Sequence, residues 1–308
     1  MPKMNVIKSI YVDAAPEKIY PIINNLSNWE QWSPWVIAEP TAQLNVAKDG
    51  KYHEWDGEII GAGNLKIQEE IENESVSMAL TFLKPWKSKA ITRFTLEKKG
   101  KGTEVIWTMD SSLPFFLFWM KKQMEVFVGM DYDRGLTMLK DLVETGSSNS
   151  TLTFKGVKSF YTTKYIGIKS QCSSSNLGQS MEKDFTQLME FIREKTGENA
   201  HGNPFSIYHE FDVMKGKVIY SACHPLKEIP SKIPENFYTG ELPKMRVYTV
   251  SHTGPYRHIG NAWSAAMMHQ RAKKFRPAKK IPPMEVMLNS PKDTPEKELI
   301  AEVLFAVK

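Results

Sequence analysis

The sequence predicts an α+β protein in two parts: a curved antiparallel sheet gripping one long helix, then a duplicated β-α-β-β unit. Three observations carry that prediction. Period-two runs separated by tight turns fill residues 44–110, one long helical pattern follows them to residue 145, and two later segments repeat one element order at nearly one spacing.

The bounds agree with two domains, placed at 1–147 and 151–308. The chain has 308 residues, 41% apolar and 24% charged, enough for two cores of ordinary composition. Its net charge of +5 is unevenly held, with 17 basic and 20 acidic side chains in 1–147 but 23 and 15 in 148–308. That asymmetry fits an anionic partner, and it fits equally the fusion of two unrelated folds, the plainer reading. Two cysteines, Cys172 and Cys223, without a CxxC or clustered histidines, point to no disulfide framework and no metal. No cofactor motif is present, and a reducing, cytoplasmic setting is expected. The N-terminus lacks the apolar core of a signal peptide, and the most apolar run, Leu113–Met120, is too short to span a bilayer. That run either dips into a membrane surface or, the reading preferred here, begins a buried helix after Pro114.

In order, alternation from Asn5 to Val12 predicts a strand, and Asp13-Ala14-Ala15-Pro16 a helix start leading into the amphipathic Glu17–Asn25. Trp29, Trp32 and Trp35 recur every three residues, which puts them on one side of a short helical turn ended by Pro34. Turns at Lys48-Asp49-Gly50, Gly61-Ala62-Gly63, Glu72-Asn73-Glu74 and Lys99–Gly102 separate the strands of a meander. Met124, Phe127, Val128, Leu136, Leu139 and Val143 then mark a long helix over Phe115–Thr145, with Gly129 as a candidate kink.

DAAPEKIYPIINNLSNWEQWSPW, DGKYHEWDGEIIGAGNLKI and GKGTEVIWTM, within residues 3–146, resemble the polyketide cyclase and START-like (SRPBCC) superfamily. The resemblance implies a helix-grip fold with an apolar cavity between sheet and helix. Trp55, Trp107, Trp119, Met124 and Phe127, with Trp86, Phe116 and Met120, are candidates to line it, although such residues at these periods also read as packed core. His53, Glu54 and Asp56 form an acid/base cluster, but alternation turns both carboxylates away from the imidazole.

Residues 146–150 (GSSNS) read as a linker. Beyond it, Val157–Lys169 is strand-like, Leu177–Thr196 a helix, and Pro204–Phe211 and Val218–Cys223 strands. The series then repeats as a strand Lys244–His252, a helix Pro255–Lys274, and strands Pro282–Asn289 and Glu298–Val307. Pro283 follows Pro204 by 79 residues. Two copies about a pseudo-two-fold would pair their open edges and leave a groove across the axis, with Ser206 and Tyr208 where the second copy has Glu285 and Met287. Glu285 is an ionisable group amid apolar neighbours. If enclosed, it needs a cation, a donor or a proton.

GNPFSIYHEFD, YTVSHTGPYRHIGNAW, PPMEVMLNSPKDTPEKEL and IAEVLFAVK, over residues 151–308, resemble the GyrI-like domain, also called the AraC or BmrR effector-binding domain. The resemblance implies that Glu285 centres an aromatic-walled groove for cationic, planar or amphipathic ligands, with Tyr208, Tyr256 and Trp263 as walls. Met287 departs from the tyrosine the family often has there and offers a thioether without a hydroxyl.

Three functions follow as expectations. The first is a binding protein that sequesters or senses a small hydrophobic or cationic ligand at Glu285, Tyr208, Tyr256, Trp263, Met287 and Ser206. The second, which some stand-alone members of the family imply, is a hydrolase of strained electrophiles using Glu285 as general acid or base and Trp263 to orient the substrate. The third is an interaction module for a transcription regulator. Direct DNA binding is not expected, because no helix-turn-helix flanks the second domain. His252-Thr253-Gly254-Pro255-Tyr256 reads as a strand end and helix start, and the basic run Arg271–Lys280 as a solvated helix C-terminus. The sequence leaves the oligomeric state open.

Overall fold

The computed structural model describes residues 3–113, 115–195 and 200–308, the side chains of 115–117 and 195 excepted. Pro114 as a helix start, Phe116 as a cavity wall, and Thr196 with Gly197 as a helix end lie outside these residues. The chain divides at Thr151/Leu152 into two compact units.

The first unit begins with β1 (Lys3–Val12) and α1 (Pro16–Ile23), followed by β2 (Gln43–Val46), β3 (Tyr52–Asp56), β4 (Ala62–Ile71), β5 (Ser75–Lys84), β6 (Ser88–Lys99) and β7 (Gly102–Ser112). A 3-10 turn, Phe115–Met120, leads into α2 (Lys121–Thr145). The strands form one antiparallel sheet in the order β1-β7-β6-β5-β4-β3-β2, a meander whose last strand closes against the first. Pro16 opens α1, because its missing N–H is one the first turn leaves unpaired anyway. Asp13 makes no cap, since Ala15 holds that position. The helix pattern of 115–145 resolves into the 3-10 turn and one run of α-helix containing Gly129. Gly146 ends α2 in the left-handed region (φ 81°), its N–H bonding to the Leu142 carbonyl.

Alternation sends Val76, Met78, Phe94, Val105 and Trp107 to the face that α2 covers with Leu136 and Leu139. Trp107 is the hub of this core. Its ring stacks on Tyr132 at 3.7 Å and Phe94 at 4.7 Å, with Trp29, Trp32 and Trp35 meeting it edge-on. The three tryptophans do share a side, but the turn carrying the first of them, Leu26–Gln31, is 3-10, whose three-residue period suits their spacing. Gly135 lets helix and strand approach, since a Cβ there would lie 2.8 Å from the Trp107 ring.

The second unit contains β8 (Thr151–Phe160), β9 (Thr163–Ser173), α3 (Leu177–Lys195), β10 (Phe205–Asp212), β11 (Lys217–Pro225), β12 (Phe237–Leu242), β13 (Met245–Thr253), α4 (Gly260–Arg271), β14 (Met284–Met287) and β15 (Ile300–Val307). Sheet order is β12-β9-β11-β10-β14-β15-β13-β8. Two three-stranded sets, β9-β11-β10 and β14-β15-β13, therefore meet edge to edge, and Ser206 stands opposite Glu285 at the seam. The outer strands are exchanged, β12 lying beside β9 of the first copy and β8 beside β13 of the second. One expectation needs correction here, and one strand was not foreseen. The single strand read over Val157–Lys169 is two strands broken at 161–162, and β12 carried no signal strong enough to be read as a strand. α3 packs on β9 and β11, and α4 on β13 and β15. The opposite face buries Phe205, Ile207, Cys223, Val247, Met284 and Leu304.

Candidate functional site

Period two puts Ser206 and Tyr208 of β10 on the same face as Glu285 and Met287 of β14, the face that carries the helices. Glu285 is only 7% exposed. Trp263, projecting from α4, donates its indole Nε1–H to Glu285 Oε2 at 2.7 Å, and the Tyr208 hydroxyl reaches the same oxygen at 3.4 Å. The two rings meet edge to face at 4.7 Å. Among the described residues Glu285 takes part in no ion pair, so its carboxylate is held by neutral donors alone.

The electrostatics follow from that enclosure. Burial raises the Glu285 carboxyl above its usual range, and the bonds from Trp263 and Tyr208 oppose the rise by favouring the charged form. Burial and the nearby Glu285 charge push the Tyr208 phenol well up. Tyr256 is pushed up to about 12, by burial first and by Glu285 second. Its hydroxyl donates to the Asn289 carbonyl at 2.8 Å, so Tyr256 stands within the field of Glu285 with its own donor already engaged.

Tyr208, Trp263, Ser206 and Glu285 are thus brought together. The Ser206 hydroxyl is fully buried and has no hydrogen-bond partner among the described residues. Half-buried Met287 shares the face and pairs with Ala301. Sequence reasoning missed two supports. Phe305 meets the Trp263 ring at 5.7 Å, and Met181 of α3 lies 3.8 Å from the Tyr208 hydroxyl. Phe305 was findable, because Val303 stands opposite Glu285 and Phe305 is the next residue on that face.

Of the five side chains read as lining a second cavity, Trp107 belongs to the core of the first unit, and Trp55 and Met124 are partly buried against that core. Trp107 is stacked against Tyr132 and Phe94 in the aromatic core. Trp119 sits on the 3-10 turn before α2 and is 67% exposed. Trp55 lies over Gly63 and meets Phe82 edge-on at 6.4 Å, while Met124 and Phe127 are half-buried on α2. A depression of about 650 Å³ in this unit has none of the five in its wall. Its Ala79, Thr81, Lys89, Ile91 and Asp110 belong to the strand faces turned away from the helix. Inside the core, His53 is 1% exposed, has no hydrogen-bond partner on either ring nitrogen among the described residues, and is depressed to about 4 by burial. Glu54 and Asp56 point outward from the same strand.

Residues 159–308 match the family model of the GyrI-like small molecule binding domain, and residues 3–144 that of polyketide cyclase / dehydrase and lipid transport. The chain joins a polyketide cyclase-type domain to a GyrI-like domain. Among solved structures the chain resembles the EcmrR C-terminal domain, with 15% identity over 52% of this chain and 98% of that one and a TM-score of 0.41. It also resembles the Aha1 dimer from Colwellia psychrerythraea, with 21% identity over 46% and 97% and a TM-score of 0.33. A third likeness is to protein MLL2253 from Mesorhizobium loti, with 14% identity over 46% and 96% and a TM-score of 0.36. No curated protein matches the chain. Among the described residues of the two domains, no helix is long and apolar enough to cross a membrane, and no three His, Cys, Asp or Glu side chains gather as a metal would need.

Proposed function

We propose that the GyrI-like domain binds a planar, amphipathic organic cation, with Glu285 as counter-charge and Tyr208, Trp263 and Tyr256 as the ring-lined surround. The observation that carries this reading is a buried carboxylate that, among the described residues, is held by an indole and a phenol and takes part in no ion pair. Such a group gains from a delocalised positive charge, which is cheaply desolvated and is attracted by the faces of the same rings. Ser206, across the strand pair, adds a hydroxyl for a polar substituent. Sequestration or sensing of small molecules is the role such a binding site would serve.

A second reading rests on the raised Glu285 carboxyl, which suits a general acid or base opening an electrophilic ring while Trp263 holds it in place. Titrating the wild-type chain and Glu285→Gln with ethidium and with uncharged phenanthridine separates the cases. Binding predicts at least about tenfold weaker ethidium for the variant, with phenanthridine changed by less than about twofold. Equal ethidium affinity in both proteins would remove the counter-charge role. Turnover of an epoxide probe that disappears in the variant, with probe affinity retained, would establish the hydrolase instead.

A further inference from the structure

Three connections of the first sheet leave from one end. Lys84 pairs with Ala62, Phe82 with Ser88, and Ser111 with Ala90, so the β3–β4 turn, the β5–β6 hairpin and the chain leaving β7 share that rim. In sheet order β5, β6 and β7 are neighbours, which sets the hairpin beside the segment that enters α2. From this rim project Leu83 (46% exposed), Trp86 (47%), Phe118 (59%) and Trp119 (67%).

Four large apolar side chains held in water at one rim lose roughly 25 cal/mol for each Å² left uncovered, and a folded surface normally avoids grouping them. Their flanks carry charge of one sign. The segments 83–87 (LKPWK) and 118–122 (FWMKK) contain four lysines and no acid, and Lys3 and Lys89 stand on the adjoining strand ends. Lys84 pairs with Asp56 and Lys121 with Glu125, whereas Lys3, Lys87, Lys89 and Lys122 enter no ion pair among the described residues. Glu39, which accepts from the backbone N–H groups of Glu58, Ile59 and Ile60 in the β3–β4 turn, is also at this rim, so with Glu58, Asp110, Asp56 and Glu125 five acids stand against the six lysines and the balance stays positive by one.

Tryptophan between lysines is the composition that settles at a headgroup layer: the indole spans the apolar-polar boundary, lysine stems lie along the hydrocarbon, and the ammonium groups meet anionic phosphates. We infer that this rim of the polyketide cyclase-type domain docks on an anionic lipid bilayer, with Trp86 and Trp119 entering the interface and Lys87 and Lys122 holding the lipid charge. The contact is peripheral and reversible, resting on a few side chains rather than an inserted helix.

The test is vesicle co-sedimentation of the full chain with phosphatidylcholine alone and with phosphatidylcholine containing three parts in ten phosphatidylserine. Wild type should sediment with the anionic vesicles, weakly with the neutral ones, and less as salt rises. The pair Trp86→Ala/Trp119→Ala should bind anionic vesicles at least tenfold more weakly, and Lys87→Glu/Lys122→Glu should lose the preference for anionic over neutral vesicles. All four positions are on the surface, and an unchanged melting temperature confirms folding in each variant. Absence of wild-type binding overturns the inference, as does a Trp variant that binds like wild type, which would mean adsorption by charge alone. Capture of a protein partner through these side chains without vesicle binding overturns it as well.

Discussion

The indole of Trp263 donates to Glu285 across 2.7 Å, and Phe305 meets that indole ring edge-on from β15. Helix α4 is thereby tied to the charge at the sheet's seam by one hydrogen bond. Trp263→Phe keeps an aromatic edge against Tyr208 and removes only the donor. Without it the carboxyl rises further, because the bond to the charged form was opposing the effect of burial. The expected result is a pH profile of ethidium binding displaced to higher pH, with affinity at pH 8 lowered less than at pH 6. An unchanged profile would show that the indole contributes packing alone.

Glu285 also sets a cost in stability. Its folded-state pKa lies above the unfolded value, so the stability tied to it is complete at pH below about 4.5 and is lost as pH rises through the folded value. Glu285→Gln does not titrate. Thermal melts of the two proteins should coincide near pH 4, and at pH 8 the variant should melt higher. A variant less stable than wild type at pH 8 would mean that the carboxylate is already compensated.

Much of this site was legible in the sequence, since alternation along two short strands needs only the order of residues. The near-identical spacing of the two copies matched Ser206 to Glu285 by position, whereas their pairing across the seam is set by the sheet register. The exchange of β8 and β12 was not legible, because no local pattern says which copy a strand joins. β12 is also crossed by Gly240, where a Cβ would lie 2.5 Å from the Tyr165 ring, so its glycine reads as a turn while serving a packing contact. The inward-facing aromatics of the first domain were ambiguous for a related reason. An inward-facing Trp107 looks the same in sequence whether a ligand or Tyr132 lies over it.

His53 offers a pH test of the first domain. Its imidazole is buried neutral and depressed from 6.5 to about 4, burial being the main cause, with Glu54 opposing. Its contribution is complete above the unfolded pKa of 6.5 and is lost as pH falls toward 4, amounting to about 3 kcal/mol at roughly 1.4 kcal/mol per unit. His53→Phe retains a ring beside Trp55 and removes the titration. Denaturant unfolding of the first domain's transition at pH 7 and pH 4 should therefore show a steeper acid loss in wild type than in the variant. Parallel losses would place the proton elsewhere.

Thr92 tests the core beneath α2. Its hydroxyl bonds to the Thr108 carbonyl at 2.9 Å and meets both Trp107 Nε1–H, at 2.8 Å, and the Tyr132 hydroxyl, at 3.0 Å. One hydroxyl has one proton. With that proton given to Thr108, the oxygen accepts from the indole and the phenol together, so a single side chain satisfies two buried donors. Thr92→Val keeps the shape and removes both acceptor interactions, leaving two donors unpaired at about 1–3 kcal/mol each. A loss of about 2–4 kcal/mol is expected in chemical denaturation of this domain, far above the near-zero change of an isosteric swap at a site without hydrogen bonds. Tyr132→Phe in the Thr92→Val background should recover part of it by deleting one of the stranded donors, whereas in the wild-type background it should destabilise. That reversal of sign distinguishes a shared acceptor from ordinary loss of packing.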